Sequence, residues 1–206
     1  MKKQISFTLL LFCFISHTLS AQEKGNVEFG VNAGYNSATV SSDDATADYG
    51  DGFNLGLSAD YYFSKRWSIK GKLIYDQKGW NRGFIEDLNT GVSYKTNYNL
   101  DYITIPVMAN WHFAKKRNWY LNFGPYVGFL MRAEETKFGT DVKDAFNTTD
   151  FGLSVGVGVK IPVSDKLKLS IEYETQSGIS EIFKESADPI TNSRWSFNFG
   201  VNFLMK

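Results

Sequence analysis

The sequence predicts an all-β protein: an eight-stranded antiparallel up-and-down transmembrane β-barrel with short periplasmic turns and long extracellular loops. Three observations predict it. Stretches of about ten to thirteen residues that alternate apolar with small or polar side chains recur eight times, and successive strand residues point to opposite faces of a sheet. The connections alternate in length, with three tight turns at 64–66, 114–118 and 164–166 and four long segments at about 38–52, 80–93, 133–150 and 178–193. Beyond the first 21 residues no apolar run is long enough for a spanning helix, so this chain can enter a bilayer only as a closed sheet that pairs its own backbone.

The first residues read as a processing signal. Lys2 and Lys3 form a basic start, Ile5 to Ile15 an apolar centre and Thr18-Leu19-Ser20-Ala21 a small-residue exit, which predicts a secretory signal peptide at 1–21 and one barrel domain at 22–206. Cys13, the only cysteine, would leave with it, so no thiol remains for disulfides, thiolate metal sites or nucleophilic catalysis. The chain carries 22 Lys and Arg against 22 Asp and Glu, and losing Lys2 and Lys3 makes the mature chain two charges negative. Such a balance gives no case for nucleic acid.

The first strand is expected at Val27–Ser37, with Phe29, Val31 and Tyr35 on one face and Glu28, Asn32 and Asn36 on the other. The second, Phe53–Phe63, sets Leu55, Leu57 and Tyr61 against Asn54, Ser58 and Asp60; a tight turn joins it to the third, Trp67–Lys78, where Ile69, Leu73 and Tyr75 oppose Lys70, Lys72 and Asp76. The fourth, Tyr94–Phe113, changes phase before Ile103, which predicts a β-bulge near Tyr102. Pro106 has no N–H and predicts interrupted pairing in the same strand. The fifth, Trp119–Arg132, opposes Leu121, Phe123 and Val127 to Asn122, Gly124 and Arg132. The sixth, Phe151–Val163, is wholly apolar on one face and carries Gly, Ser, Lys and Pro on the other. The seventh, Leu167–Gln176, alternates Leu169, Ile171 and Tyr173 with Lys168, Glu172 and Glu174, and the eighth, Arg194–Met205, alternates Phe197, Phe199 and Val201 with Ser196, Asn198 and Asn202.

The charged phase is expected to face the lumen as a polar network of Glu28, Asp60, Lys70, Lys72, Arg132, Lys160, Glu172 and Glu174, because an eight-stranded interior is narrow enough for side chains to fill. On the apolar face aromatic residues gather near strand ends, with Trp67, Trp111 and Trp119 at the short turns and Tyr35, Tyr75 and Trp195 toward the long loops. Those are the two interfacial girdles expected of a membrane barrel. A soluble lipocalin-like barrel, with its apolar face inward around a ligand, is the alternative that these girdles disfavour. Opposing Phe63 to Trp67 also sets Asp60 across from Lys70 on the interior face.

Several segments have specific company: Phe53-Asn54-Leu55-Gly56-Leu57, Leu73-Ile74-Tyr75-Asp76-Gln77-Lys78-Gly79, Tyr102-Ile103-Thr104-Ile105-Pro106-Val107, Gly124-Pro125-Tyr126-Val127-Gly128 and Asp150-Phe151-Gly152-Leu153. In these the chain resembles the PorT-type outer-membrane β-barrel family over nearly its whole mature length. The resemblance implies a small barrel in a Gram-negative outer membrane, reached after signal-peptide cleavage, with outer-membrane lipid and lipopolysaccharide around it. It also implies envelope or secretion proteins as partners and carries over no catalytic residue, cofactor or metal.

Chemistry is sparse otherwise. His112 is the one histidine of the mature chain and stands without a cysteine or a G-x-S-x-G turn, which favours a hydrogen-bonding role near the interface over catalysis. Glu172 and Glu174 share a face, where nearby Lys and Arg make an ion network more plausible than a catalytic carboxylate pair. The acidic loops, with Asp43, Asp44, Asp48 and Asp51 in the first and Glu134, Glu135, Asp141, Asp144 and Asp150 in the third, lack EF-hand spacing and read as solvated. The expected function is a non-enzymatic barrel that anchors or assists an envelope or secretion assembly; a small porin-like channel and a lipid-modifying enzyme are the alternatives.

Overall fold

The computed structural model describes residues 24–41, 47–87, 90–186 and 188–205. The signal expected at 1–21, together with Asp43 and Asp44 of the first loop, lies outside them. Among the described residues the strands are β1 (Val27–Ser41), β2 (Asp48–Tyr62), β3 (Trp67–Asp87), β4 (Val92–Phe113), β5 (Trp119–Glu135), β6 (Thr140–Asp141), β7 (Thr149–Pro162), β8 (Leu167–Gly178) and β9 (Thr191–Met205). Eight of these close a ring in which each pairs antiparallel with its neighbours in sequence, and β1 meets β9 from Val27↔Met205 to Ser41↔Thr191. The two-residue β6 lies outside the ring, against the end of β5. Closure leaves no sheet edge within the wall, as hydrocarbon requires.

Alternation decides which way each side chain points. Along β7, Phe151, Leu153, Val155 and Val157 are exposed on the outside while Asp150, Ser154 and Lys160 are buried inside. The same holds around the ring, so the buried interior is largely polar and the exposed exterior largely apolar. That inverts a soluble barrel and suits one solvated by lipid. The turn at 63–66 sets Asp60 opposite Lys70, the register expected from the sequence.

Pairing departs from the regular ladder around β4. In β4 the inward phase stays on even-numbered residues from Thr96 to His112, so the strand itself does not slip; Tyr98, Leu100 and Tyr102 are apolar residues that point inward. The bulge lies across from Tyr102 on β5, where Leu130 pairs with Tyr102 and Arg132 with Asp101, leaving Met131 as the extra residue. Near Pro106, the ladder to β3 skips the partners of Lys72 and Leu73, and the ladder to β5 skips the partners of Val107 and Met108, next to Pro125. Two prolines on adjacent strands account for both gaps, because neither offers an N–H to its neighbour. Gly124 fills the second gap: a Cβ there would meet the Val107 carbonyl oxygen at 2.1 Å.

The segment at 80–93, expected as a loop, is mostly strand. β3 and β4 are 21 and 22 residues long, about twice what a tilted strand needs to cross hydrocarbon, so they continue outward as a hairpin. Arg82, with a φ of 58°, is the bulge where this hairpin leaves the wall, and it pairs with Asp48 at 3.0 Å.

Candidate functional site, the barrel interior

The interior is packed in tiers. At the periplasmic end the Lys160 ammonium meets Glu28, Asp60 Oδ2 at 2.9 Å and the Tyr62 hydroxyl at 3.0 Å, while Lys168 holds the other Glu28 oxygen at 2.7 Å and Asn110 donates to Asp60 at 2.9 Å. In the middle Lys70 pairs with Glu172 at 2.9 Å, Lys72 bridges Glu172 and Glu174, and Arg194 joins Glu174 at 2.8 Å to Asp76 at 3.4 Å. Above them Lys78 pairs with Asp150 at 2.9 Å and lies 5.0 and 4.7 Å from the ring centres of Tyr102 and Tyr126. Asp60 and Lys70, though opposite in register, find their ion partners across the barrel instead. Short side chains on the wall would not span the lumen, so long cations from one strand reach carboxylates on another.

Among the described residues the ion network across this lumen joins six buried carboxylates (Glu28, Asp60, Asp76, Asp150, Glu172 and Glu174) to six buried cations (Lys70, Lys72, Lys78, Lys160, Lys168 and Arg194), while the buried Asp101 and Glu135 lie outside it, against Arg132 and the third loop. Equal numbers matter because an uncompensated charge in a low-dielectric interior costs several kcal/mol. Glycines make the space: a Cβ on Gly158 would stand 2.4 Å from the Tyr120 ring, and one on Gly34 would stand 2.0 Å from Asn198. A void between Asn32, Ser58, Lys70, Glu172, Asn198 and Asn202 measures about 10 Å³, room for no more than a single water.

A second closure caps the extracellular mouth. Trp80 stacks on Tyr98 at 4.6 Å, Phe146 packs on Phe183 at 4.5 Å, and Val40, Leu100, Tyr102, Leu130 and Ile182 complete an apolar cluster. Phe146 and Phe183 come from the two loops flanking β7 and β8 and form a β-bridge, and the Asn147 amide donates to the carbonyls of Glu181 and Phe183, each at 2.9 Å. The third loop therefore folds its aromatic residue over the lumen rather than standing free in solvent.

Of the residues expected in the lumen, Glu28, Asp60, Lys70, Lys72, Lys160, Glu172 and Glu174 are brought together there. Arg132 is a correction: it lies on the outside with its side chain 53% exposed, bonded to Asp101 at 2.8 Å and Glu134 at 3.0 Å. The extra Met131 shifts the end of β5 by one residue, and a one-residue shift sends every following side chain to the other face. Asp150, expected in a loop, begins the inward phase of β7 and completes the uppermost ion pair. Asp76, expected on the polar phase of its strand but not in the network, joins it, and Lys78 and Arg194 join it unforeseen, although each shares the phase of an assigned inward neighbour: Lys72 for the first, Ser196 for the second. The aromatic residues face outward, with Trp67 on Trp111 at 6.3 Å and Phe113 on Trp119 at 6.5 Å near the short turns. Tyr35 on Trp195 at 5.7 Å and Phe53 on Tyr75 at 5.8 Å lie further toward the long loops.

His112 is buried, with Nε2 3.0 Å from Ser68 Oγ and 4.0 Å from Asp60. The three residue types match a catalytic triad, but the geometry does not. A triad needs the carboxylate on the nitrogen remote from the serine, whereas both approaches here are to Nε2. Glu172 and Glu174 are each occupied by Lys72, and among the described residues no group of three or more His, Cys, Asp or Glu side chains is placed to hold a metal ion.

Beyond the hydrocarbon, Glu135 shapes the third loop. Its buried carboxylate accepts from the backbone of Lys137 at 2.7 Å, Phe138 at 2.9 Å and Thr140 at 3.1 Å, and from the Thr96 hydroxyl at 2.9 Å. Burial alone would raise its pKa, but these donors outweigh it and hold the carboxyl below the usual value of 4.5. The carboxylate thus stabilises the loop fully above that value, and the contribution is lost as pH falls through the lower folded pKa. Hydrogen exchange at Lys137, Phe138 and Thr140, corrected for intrinsic rates, should stay slow from neutral pH to about 4.5 and accelerate below; Glu135→Ala should show the fast exchange throughout.

A closed antiparallel ring with an apolar, aromatic-banded exterior and a charged interior defines an integral β-barrel of the bacterial outer membrane. The model of the outer membrane protein beta-barrel domain matches residues 20–184, and the chain belongs to that family. No curated protein sequence matches it. Solved structures share the fold: OprG from Pseudomonas aeruginosa (TM-score 0.55, 11% identity, covering 91% of this chain and 99% of OprG) and the outer-membrane protein AlkL in DMPC bilayers (TM-score 0.55, 9% identity, 92% and 94%). Neisserial surface protein A is similar too, with a TM-score of 0.52 at 20% identity over 85% of this chain and 96% of its own.

Proposed function

We propose that this barrel is a non-conducting, non-enzymatic anchor or accessory component of an outer-membrane assembly, exported by way of the signal at 1–21. The observation that carries this reading is the doubly closed lumen, with its charge-balanced network below and the apolar plug of Trp80, Phe146 and Phe183 above. An eight-stranded interior is narrow, and side chains packed across it in this way among the described residues oppose the passage of water and ions. What remains for interaction is the outer surface, the long hairpin of β3 and β4 and the tied loops. The PorT-type segments around Tyr102-Ile103-Thr104-Ile105-Pro106-Val107 favour a partner in protein secretion, with lipid and lipopolysaccharide as the surroundings.

Two measurements test it. Purified protein in planar bilayers should give no open-channel steps, and reproducible steps would show that the plug opens and that the barrel is a pore. Affinity purification from intact membranes, read by mass spectrometry, should recover secretion components; recovery of none would make it a solitary barrel.

A further inference from the structure

The short-turn end of the barrel is electrically one-sided. Lys65 and Arg66 in the turn between β2 and β3, and Lys115 and Lys116 in the turn between β4 and β5, are all exposed, and neither turn contains an acidic residue. The third tight turn, Val163-Ser164-Asp165-Lys166, is neutral. The two basic turns are held together: the Arg117 guanidinium donates to the Lys65 carbonyl at 3.2 Å, and the His112 amide donates to the Arg66 carbonyl at 2.7 Å. Ala114 and Arg117, with φ of 66° and 53°, bracket Lys115 and Lys116 in left-handed backbone that neither residue favours.

The same sector carries the aromatic row. Trp67, Trp111, Phe113 and Trp119 touch in succession across β3, β4 and β5, at ring separations of 6.3, 5.1 and 6.5 Å. Across the ring, the outward residues at this level are Ile161, Leu169, Phe203 and Met205, with no tryptophan among them. Indole rings settle at headgroup depth, so cations a residue or two beyond them lie in the phosphate plane of the periplasmic leaflet.

We propose that this sector is a binding site for anionic glycerophospholipid headgroups in the periplasmic leaflet. The cations take the phosphodiester, and the aromatic row packs against the glycerol and upper acyl chains. Four exposed positive charges in two turns that contain no acidic residue select a lipid of net negative charge over a zwitterion, whose phosphate is already balanced by its own amine. A lipid reaches both the turns and the tryptophans below them, whereas a soluble acidic protein reaches only the turns.

The test uses the full chain in nanodiscs of phosphatidylethanolamine with a minority of phosphatidylglycerol, followed by native mass spectrometry of the lipid each barrel retains. The native protein should retain phosphatidylglycerol in preference to phosphatidylethanolamine. The variant K65Q/R66Q/K115Q/K116Q should lose that preference by about tenfold or more, since each basic residue near a charged surface is worth roughly fivefold. Neutralising Lys95, Lys137 and Lys143 at the opposite end should change nothing. If the fourfold variant fails to insert, K115Q/K116Q should show a partial loss. Equal retention of the two lipids by the native protein, or undiminished preference in the variants, would overturn the proposal. So would capture of an acidic periplasmic protein that depends on these cations while lipid retention does not.

Discussion

Replacing Lys160 by Met is expected to destabilise the barrel by about 3–5 kcal/mol, read as a shift in urea-driven unfolding from phospholipid vesicles followed by tryptophan fluorescence. Lys160 is the cation shared by Glu28 and Asp60, and its removal leaves their charges short of a partner in a tier where all three side chains are almost wholly buried. Met occupies a similar volume, so the loss measures charge rather than packing. Glu28 keeps Lys168 at 2.7 Å, but the close partners left to Asp60 are the neutral Asn110 amide at 2.9 Å and the Ser68 hydroxyl, with His112 4.0 Å away. The sharper expectation is therefore a double variant. Lys160→Met with Asp60→Asn removes one charge of each sign and leaves the Glu28–Lys168 pair intact, so it should recover at least half of the lost stability. If the single variant is neutral, the interior is better hydrated than its packing indicates.

Val155→Arg should cost about 2–4 kcal/mol in the same assay, because an arginine facing lipid near the middle of a strand must be desolvated or snorkel to the surface. Val155 points outward at mid-height on β7, between Phe123 of β5 and Thr175 of β8. The preceding residue, Ser154, is buried in the lumen, so one step along the chain exchanges lipid for a polar interior. The cost should shrink when the barrel is unfolded from detergent micelles, which deform and admit water more readily than a bilayer. A substitution tolerated equally in both would mean that Val155 does not face hydrocarbon.

Much of this arrangement is written locally. Strand residues alternate with period two whatever they pair with, so Leu153, Val155 and Val157 on one face and Ser154 and Lys160 on the other are legible from the chain alone. The Asp60 and Lys70 register is legible for the same reason, since a tight turn leaves the two strands little freedom. Arg132 shows where that reasoning stops. Counting by twos from Asn122 places it inside, but Met131 adds a residue that β4 does not match, and a bulge is a property of two strands rather than one. The segment at 80–93 failed similarly: it was expected as one of four long connections, while pairing from Gly83↔Thr96 to Asp87↔Val92 makes it a hairpin. Phe146 and Phe183 gave no signal at all, being isolated aromatics in polar loops whose meeting depends on β7 and β8 lying side by side.

Local pattern is enough for the class of protein, most of the strands, the side of the wall on which most residues lie and the absence of any cysteine after Cys13. Contacts across the closed ring set which charges pair, bring six carboxylates and six cations of the described residues into one network, and fold an apolar plug over the mouth above them. The reason is the range of each interaction. Alternation and turn length act between residues a few positions apart, whereas Lys70 and Glu172 are 102 positions apart and meet only because closing β1 on β9 brings the two halves of the wall within a side chain's reach.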